Sequence, residues 1–250
     1  MAWNDTDLAT GTTPLWAQLA ERLRTGIHDG EFPEGANLPS ETQLTERFQI
    51  SRATARNALS RLATEGLVER RSGKGTRVLP PKVEIPLNRL SSFSDDMESR
   101  GLVPGYGDIS ASVEAANERV AAALDLDAGA EVIKLERTLL ANAAPIAHST
   151  SWLSPDVVPT ATLEATALVA KHSLYQWLET QHNIRITHGT EVIEGGVADG
   201  ALAADLNISP GSAVLNVLRT ARTGSGDAVE YAERSYRADR YRYTVELVRS

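Results

Sequence analysis

The sequence predicts an α+β protein of two domains, and three observations support this. Adjacent prolines at Pro80 and Pro81 impose an extended stretch that interrupts any helix. Before them, helical segments with capping signals precede two short strand-like runs around a glycine turn. After them, a helix–strand–strand pattern occurs twice, which favours an antiparallel sheet with helices packed against it. We therefore expect a first domain at residues 12–79, a linker at 80–88 and a second domain at 89–248.

The composition limits the classes of protein that the chain can belong to. Of its 250 residues 42% are hydrophobic, which is ordinary for a folded protein. It has no cysteine, which excludes disulfides, thiolate metal sites and a cysteine nucleophile. No apolar run approaches the roughly 18 residues of a membrane helix, and the polar N-terminus, with Asp5 and Asp7, is unlike a signal peptide. We expect a cytoplasmic protein without a membrane segment.

The charge is unevenly divided between the two predicted domains. The formal net charge is −8, but up to Pro80 the chain holds ten Lys/Arg and ten Asp/Glu, so residues 81–250 carry the whole excess. Residues 40–77 hold eight basic and four acidic side chains, a local charge of +4. Such a segment is typical of a surface that binds phosphates, although a solvated surface can also have it. The acidic total therefore does not exclude nucleic acid as a partner.

Local signals predict three helices in the first domain. Thr13 is a candidate N-cap, with Pro14 at the first helical position. Ser40 and Gln43 have the spacing of a capping box, in which each side chain bonds the other residue's backbone N–H. Ser51 is a candidate N-cap for the third helix.

A hairpin is predicted after the third helix. Gly66 is placed to end that helix, and residues 67–71 and 76–79 then form two strand-like runs around a glycine-containing turn. Two short helices joined by a tight turn and followed by a hairpin make a winged helix-turn-helix, whose second helix enters the major groove of DNA.

The third helix and the turn of the hairpin carry residue types that contact DNA. Arg52 and Arg56 are four positions apart and share the face opposite the apolar positions. Arginine suits guanine edges and phosphates, and Ser51, with Thr54 beside it, can bind a phosphate oxygen at the helix N-terminus. Lys74 lies between two glycines, where a slim wing tip can approach the sugar–phosphate backbone. The alternative is that the arginines only solvate the helix.

With these motifs, residues 14–79 resemble the DNA-binding domain of GntR-type bacterial repressors. The resemblance is carried by Leu38-Pro39-Ser40-Glu41, Ser51-Arg52-Ala53-Thr54-Ala55-Arg56, Glu65-Gly66-Leu67-Val68 and Gly73-Lys74-Gly75-Thr76. It implies a homodimer bound to an inverted repeat in double-stranded DNA. The family usually has a DNA-contacting Arg where this chain has Thr42, so we expect a different operator preference. The expected DNA-contacting residues are Ser40, Glu41, Thr42, Ser51, Arg52, Thr54, Arg56, Gly73, Lys74, Gly75 and Thr76.

The second domain contains an internal repeat. Residues 124–138 return without a gap as residues 206–220, 82 positions later, and five of the fifteen pairs are identical, including Arg137 with Arg219. An alanine-rich helical stretch precedes each copy and a second strand follows each. The repeat predicts two halves related by a pseudo-twofold axis, with a ligand cleft where the halves meet.

Residues 87–247 resemble the effector-binding UTRA domain of the HutC subgroup of these repressors, whose fold is shared with chorismate lyase. The clearest matching segments are Leu90-Ser91-Ser92-Phe93-Ser94-Asp95-Asp96-Met97, Leu135-Glu136-Arg137, Ser173-Leu174-Tyr175 and Val229-Glu230-Tyr231. The resemblance implies a small-molecule effector. The residues expected at the effector site are Phe93, Ser94, Arg137, Ser149, Ser173, Tyr175, Glu230 and Tyr236.

The chemistry of these residues agrees in part with an anionic effector. Arg137 can clamp an anionic group with two hydrogen bonds, and Glu230 can accept from ligand hydroxyls or an ammonium. The alternative for Arg137 and Glu230 is a structural ion pair across the sheet. Members that sense sugar phosphates commonly have a second Arg where this chain has Leu139 and a carboxylate where it has Ser149. With one obvious cation, the pocket is expected to favour a monoanion or a partly apolar ligand over a phosphate.

Catalysis is the main rival function. The five histidines have no metal-ligand spacing and no nucleophile elbow is present in the sequence, so we expect no metal, no cofactor and no catalytic residue. A chorismate-lyase-like enzyme that carries a winged helix remains the alternative, because a shared fold does not fix function. The motifs and the resemblance together predict a ligand-responsive bacterial transcription factor. The resemblance implies a homodimeric repressor, and we expect that an anionic metabolite releases or modulates it.

Overall fold

The computed structural model of the chain describes residues 7–9, 11–71, 75–80, 82–162 and 173–248. The chain divides into two compact units, Met1–Lys82 and Val83–Ser250. The first is built mainly of helices and the second around an antiparallel sheet, so the predicted α+β class is confirmed.

The first unit has the predicted three helices and hairpin. Its elements are α1 (Leu15–His28), α2 (Glu41–Phe48), α3 (Arg52–Thr64), β1 (Val68–Arg71) and β2 (Gly75–Val78), the last two paired antiparallel. Leucines from all three helices are almost completely buried in one core, among them Leu19, Leu44 and Leu59. This packing gives the winged helix-turn-helix its stability, because helices this short are marginal alone.

The predicted caps of α2 and α3 are present. Ser40 Oγ accepts from Gln43 N at 3.3 Å while Gln43 Oε1 accepts from Ser40 N at 2.8 Å, which completes the capping box. Ser51 Oγ accepts from Thr54 N at 3.1 Å. Gly66 follows α3 with φ +72°, a left-handed conformation that favours glycine.

The start of α1 differs from the prediction. Pro14 is the N-cap residue and has no side-chain cap, and its carbonyl accepts from two backbone N–H groups of the first turn. Thr13 therefore does not cap the helix; its own carbonyl accepts from Gln18 Nε2 at 2.8 Å. A residue further along α1 thus fixes the entry to the helix.

The strands of the second unit, within the described residues, are β3 (Val83–Pro86), β4 (Pro104–Ala115), β5 (Glu131–Ala141), β6 (Ala144–Leu153), β7 (Ile186–Val197), β8 (Ala213–Thr223), β9 (Ala228–Arg237) and β10 (Tyr241–Thr244). The unit is built on an antiparallel sheet of β4 to β9, in the order β4-β5-β6-β9-β8-β7. Its helices are α4 (Phe93–Glu98), α5 (Glu118–Leu124), α6 (Leu174–His182) and α7 (Gly200–Asp205), with a 3-10 turn at Thr160–Thr162.

The predicted repeat is present and is longer than the sequence pattern indicates. Strands β4 and β5 begin and end 82 residues before β7 and β8, and helix α5 corresponds to α7. Each half is thus strand–helix–strand–strand, with β4 and β7 at the two edges of the sheet. In β4 the residues from Ile109 to Ala115 alternate between apolar and polar types, a signal for a strand that the prediction overlooked. Strand β7 has no such alternation, because it contains Gly189, Gly195 and Gly196 and the adjacent apolar pair Val192 and Ile193.

Helices cover the two faces of the sheet in pairs. On one face, residues of α5 and α7 pack against residues of the sheet such as Trp152 and Val214. On the other face, Met97 of α4 packs near Leu139 and Tyr236, and Trp177 of α6 lies in a cluster with sheet residues. The cleft described below lies on this second face.

Part of the predicted linker, residues 80–88, is a strand. Residues Val83–Pro86 form β3, which pairs in parallel with β10. The reason is a short apolar alternation, because Val83 and Ile85 are buried while Glu84 and Pro86 are half-buried. Strand β3 therefore belongs to the second unit and ties the start of that unit to its C-terminal strand.

Candidate functional sites

Helix α3 presents an exposed polar face. Arg52 and Arg56 are both exposed on it, whereas Ala55 and Leu59 are buried in the core. The two arginines therefore project from one side of the helix, as the sequence spacing predicts. The hydroxyls of Ser51 and Thr54 lie 2.9 Å apart in the first turn of the same helix.

Glu41 holds basic side chains beside this face. Its Oε1 atom lies 3.5 Å from Nε of Arg56 and 2.6 Å from Nη2 of Arg70, and Arg70 also donates to Ser60 Oγ at 3.0 Å. A carboxylate in this position orients arginines and repels phosphate. Among the residues expected to contact DNA, Glu41 is thus placed to position Arg56 rather than to bind the phosphate itself, and Arg70 is a basic residue that the prediction omitted.

The remaining residues of the predicted DNA-contacting set divide into three groups. Ser40 and Thr42 are exposed at the start of α2, and Gly75 is exposed in the hairpin. Thr76 is a correction: it is only 6% exposed because its side chain points inward in β2, and its carbonyl accepts from Leu38 N at 2.7 Å. Gly73 and Lys74 lie outside the residues that the structure describes.

The second unit contains a cleft of about 290 Å³, counting the part open to solvent. Five of the eight residues expected at the effector site line it: Phe93, Arg137, Ser173, Tyr175 and Glu230. The other lining residues are Ser92, Tyr106, Leu139, Leu174 and Arg234.

Three residues expected at the effector site do not line the cleft directly. Ser94 lies behind it, with Oγ 2.6 Å from the hydroxyl of Tyr106. Tyr236 is buried and stacks on Tyr241, with ring centroids 3.8 Å apart. Ser149 is completely buried within the sheet. Of these three, Ser94 contacts a lining residue, and Ser149 lies in the sheet between the lining residues Arg137 and Arg234.

Two helix N-termini meet at the cleft. Ser92 caps α4 and Ser173 caps α6, each accepting from a backbone N–H of its own helix. The two hydroxyl oxygens are 3.4 Å apart. Small hydroxyl side chains and the start of α6 therefore border the cleft on its helical side.

A row of three polar residues crosses the sheet at the cleft. Arg137 on β5 pairs with Ser149 on β6, and Ser149 pairs with Arg234 on β9, so all three side chains lie on the same face. Arg137 and Arg234 are 5% and 6% exposed. The guanidinium of Arg137 lies over the ring of Tyr106, 4.9 Å from its centroid, an arrangement that stabilises a cation.

Glu230 is the buried acid of the cleft. It accepts from Ser151 Oγ at 2.7 Å and from the hydroxyl of Tyr175 at 3.1 Å, and both of its oxygens lie 3.4 Å from Nη2 of Arg234. Burial alone would raise the pKa of Glu230, but Arg234 and the hydrogen bond from Ser151 outweigh it and lower that pKa below its ordinary value. The ion pair of Glu230 is thus with Arg234, on its own strand.

Arg234 corrects the expectation of a pocket with one cation. Both Arg137 and Arg234 line the cleft, so the argument for a monoanion over a phosphate loses its basis. The sequence held a signal for this residue, because Glu230 and Arg234 are four apart in a strand and must share a face.

Arg219 lies close behind the cleft. It forms an ion pair with Glu191 at 2.6 Å, donates to the carbonyl of Ser91 at 2.9 Å and lies 3.4 Å from the Tyr175 hydroxyl. Burial lowers the pKa of Arg219, but Tyr175 and Glu191 raise it and prevail, so the pKa lies well above its ordinary value. Arg219 therefore carries a full positive charge within a satisfied network.

The described residues hold neither a metal cluster nor a membrane-spanning helix. They contain no cluster of three or more His, Asp or Glu side chains arranged to hold a metal ion. They also contain no helix with the length and apolar character needed to cross a membrane.

Comparison with known proteins gives two matches to protein families. Residues 15–78 match the family of bacterial regulatory proteins, gntR family, and residues 99–242 match the UTRA domain. Together these matches cover most of both units.

Individual proteins match over nearly the whole chain. The HTH-type transcriptional repressor NagR of Bacillus subtilis (strain 168) is 36% identical over 92% of this chain and 93% of its own length. The mannosyl-D-glycerate transport/metabolism system repressor MngR of Escherichia coli (strain K12) is 26% identical over 94% of this chain and 96% of its own. The crystal structure of PhnF from Mycobacterium smegmatis has a TM-score of 0.64 and 28% identity, covering 94% of this chain and 99% of that one.

These matches favour regulation over catalysis. NagR and MngR are both named as repressors, and the two family matches fall on the winged helix-turn-helix and on the unit that holds the cleft. The enzyme alternative has no such support. The chain belongs to the GntR family of transcriptional regulators, in the HutC-type group whose winged helix-turn-helix is followed by a UTRA effector-binding domain.

Proposed function

We propose that this regulator is a cytoplasmic, homodimeric repressor that binds an inverted-repeat operator and is released when a small anionic metabolite enters the cleft. The observation that carries the proposal is the pairing of two sites in one chain. One is an exposed arginine face on α3, and the other is a cationic cleft in the second unit.

The DNA-binding half of the proposal rests on α3. Arg52 and Arg56 project from one exposed face near the N-terminal end of the helix, the end that enters a major groove in this motif. Glu41 keeps Arg56 close to the start of α2 and so limits the loss of side-chain entropy on binding. Ser51 and the N-terminal amides of α3 supply donors for a phosphate oxygen.

Dimerisation and repression are supported by different considerations. A single helix-turn-helix reads one half-site, and two copies related by a twofold axis read an inverted repeat whose half-sites are about one helical turn apart. Repression is supported by the names of the relatives NagR and MngR.

The charge of the cleft supports an anionic effector. Its lining residues include Arg137 and Arg234 but one acid, Glu230, which leaves a net charge of +1. A neutral ligand would gain little from two buried guanidinium groups, whereas an anion gains charge-assisted hydrogen bonds. The apolar lining from Phe93, Leu139 and Leu174 favours an effector that also has carbon surface.

Helix α4 offers a route from the cleft to the DNA-binding unit. Its N-terminal residues Ser92 and Phe93 line the cleft, and Arg100, just past its end, donates to the carbonyl of Glu84 in β3 at 2.6 Å. Strand β3 is the first element after the DNA-binding unit along the chain. A ligand that shifts α4 therefore also displaces the strand through which the two units are connected.

The proposal is tested with the full-length protein in three steps. Selection from random-sequence duplexes recovers the operator, which we expect to be an inverted repeat, and light scattering is expected to give the mass of a dimer. A thermal-shift screen of metabolites then identifies stabilising compounds, and fluorescence anisotropy of the labelled operator measures release. An operator without repeat symmetry would contradict the inverted repeat, and a monomer on DNA would contradict the homodimer. Anions that stabilise the protein but leave its operator affinity unchanged would contradict release by the effector.

A further inference from the structure

We propose that Arg234, together with Arg137 and the buried Ser149 between them, forms the subsite that binds an oxyanion of the effector. The oxyanion is a carboxylate or a phosphate. Arg234 is the residue that makes the cleft specific for an anion over a neutral ligand. The inference rests on the proposed function in one respect, because it assumes that the cleft holds an effector.

The first argument is the register of three adjacent strands. Arg137, Ser149 and Arg234 are successive partners across β5, β6 and β9. At about 4.8 Å per strand, the Cα atoms of the two arginines are roughly 10 Å apart with their side chains on one face. Two planar guanidinium groups that start from this distance can converge on one oxyanion, and each can donate two hydrogen bonds.

The second argument is the hydroxyl of Ser149. The residue is 0% exposed, and its Oγ has no hydrogen-bond partner among the described residues. A buried hydroxyl without a partner costs about 1–3 kcal/mol, so its presence between two arginines requires an explanation. A ligand oxygen held by both guanidinium groups would lie on the face toward which Ser149 points and would satisfy this hydroxyl.

The third argument is the way in which Arg234 is held. Both contacts from Nη2 to Glu230 are 3.4 Å long, whereas charge-assisted hydrogen bonds are usually about 2.7–2.9 Å. Glu230 keeps shorter bonds from Ser151 and Tyr175, at 2.7 and 3.1 Å. Arg234 can therefore turn towards an anion while Glu230 remains hydrogen-bonded.

Arg219 does not have this freedom. It is as deeply buried as Arg234, but Glu191 holds it at 2.6 Å and the carbonyl of Ser91 accepts from it at 2.9 Å. It also does not line the cleft. Of the two additional arginines on this face, the contacts therefore select Arg234 as the partner of Arg137.

The test uses the full-length protein and three probes with the same six-carbon skeleton: glucose 6-phosphate as a dianion, gluconate as a carboxylate and glucose as a neutral sugar. Thermal shift and isothermal titration calorimetry measure binding to the wild type, to Arg234→Gln and to Arg234→Lys. The matched control is Arg237→Gln. Arg237 is on the same strand as Arg234, but its side chain faces away from the cleft and pairs with Asp239.

We expect at least one anion, but not glucose, to stabilise the wild type. Arg234→Gln should weaken that binding by about tenfold or more, since charge-assisted hydrogen bonds are lost. Arg234→Lys should recover part of the affinity, and Arg237→Gln should match the wild type. If Arg234→Gln does not fold, Arg234→Gln/Glu230→Gln removes the buried pair together and avoids an isolated charge. The two anion arms then distinguish a phosphate from a carboxylate.

Three results would overturn the inference: no response to either anion, a response to glucose equal to that of the anions, or undiminished anion binding by Arg234→Gln. Operator binding, measured in parallel by anisotropy, separates this failure from failure of the proposed function. A wild type that binds its operator but no anion loses the subsite and remains a DNA-binding regulator. A wild type that binds anions but no operator loses the regulatory role and keeps the subsite.

Discussion

Arg137 and Arg219 occupy equivalent positions in the two halves of the six-stranded sheet, 82 residues apart on β5 and β8, and both are 5% exposed. Their surroundings differ. Arg219 forms a close ion pair with Glu191, whereas Arg137 lies over the ring of Tyr106 and lines the cleft. The repeat has thus supplied one arginine to a structural network and one to the lining of the cleft, which makes the cleft asymmetric within a pseudosymmetric sheet.

Arg137→Ala is expected to abolish stabilisation by the effector while operator affinity stays within about twofold of the wild type. The reason is that Arg137 lines the cleft and makes no contribution to the DNA-binding unit. Thermal shift with a metabolite from the screen and operator anisotropy measure the two effects. Arg222→Ala is the control, since Arg222 forms a surface pair with Asp125 in the same unit. An unchanged thermal shift in Arg137→Ala would contradict the assignment.

Arg52→Ala is expected to weaken operator binding by about 1–3 kcal/mol if the side chain contacts a guanine. If it contacts a phosphate, the loss should be similar for all sequences and the salt dependence should fall by about one counterion. Anisotropy at several salt concentrations, on the operator and on random duplex, separates the two. Arg61→Ala is the control on the same helix, because Arg61 pairs with Glu65. Equal losses in both variants would mean that the exposed arginines act only through overall charge.

Thr42→Arg tests the position at which the family resemblance leads us to expect a DNA-contacting arginine. Thr42 is exposed in the first turn of α2, so an arginine there can extend to DNA without disturbing the core. We expect tighter operator binding and a salt dependence steeper by about one counterion. Thr64→Arg, at the exposed end of α3, is a control for added charge alone. An identical gain in both variants would show that position 42 has no special access to DNA.

Much of the fold could be predicted because its signals are local. Capping residues such as Ser40 and Ser51 are specified by neighbours three positions away, and the repeat is visible as aligned positions. Strand β4 also has a local signal, the alternation from Ile109 to Ala115, which the prediction overlooked. The edge strand β7 and the inward side chain of Thr76 could not be predicted in this way. They depend on which strands pair and on which face of a strand the core covers, and both are decided by distant parts of the chain.

The candidate site shows the same division between local and distant information. Resemblance to known repressors was sufficient to place Arg137, Ser173 and Glu230 at the cleft, as the structure does. Arg234 was missed because its relation to Arg137 passes through a third strand, β6, and only the sheet order makes the two residues neighbours. Strand alternation from Glu230 would have placed Arg234 on the right face but not opposite Ser149.

The lowered pKa of Glu230 predicts how the second unit responds to acid. An ionised Glu230 stabilises the fold at pH values above its ordinary pKa of 4.5, and this contribution is lost as the pH falls through the lowered folded-state pKa. The melting temperature of the wild type should therefore fall more steeply below about pH 4.5 than that of Glu230→Gln/Arg234→Gln. Calorimetry at a series of pH values on both sides of 4.5 measures the melting temperatures of the two proteins. Glu98→Gln, which alters an exposed carboxyl outside the cleft, is the control. Parallel curves for the wild type and the double variant would contradict the prediction.

Arg100→Met is expected to uncouple effector binding from release of DNA. Arg100 Nε donates to the carbonyl of Glu84 in β3 and Nη1 donates to the carbonyl of Asp96 in α4, both at 2.6 Å. Methionine keeps part of the apolar stem but makes neither bond, so α4 can respond to a ligand without displacing β3.

Because Arg100 lies outside the lining of the cleft and outside the DNA-binding unit, effector affinity and operator affinity should each stay within about threefold of the wild type. The effector concentration that releases the operator should rise by about tenfold or more, which corresponds to a typical coupling free energy of 1–3 kcal/mol. Titration of the operator complex with effector measures this, and Arg185→Met, which alters an exposed arginine after α6, is the control. If Arg100→Met releases DNA at the wild-type effector concentration, the signal does not pass through the contact between Arg100 and β3. The next connection to test is then the stacked pair Tyr236 and Tyr241, which joins the sheet to β10.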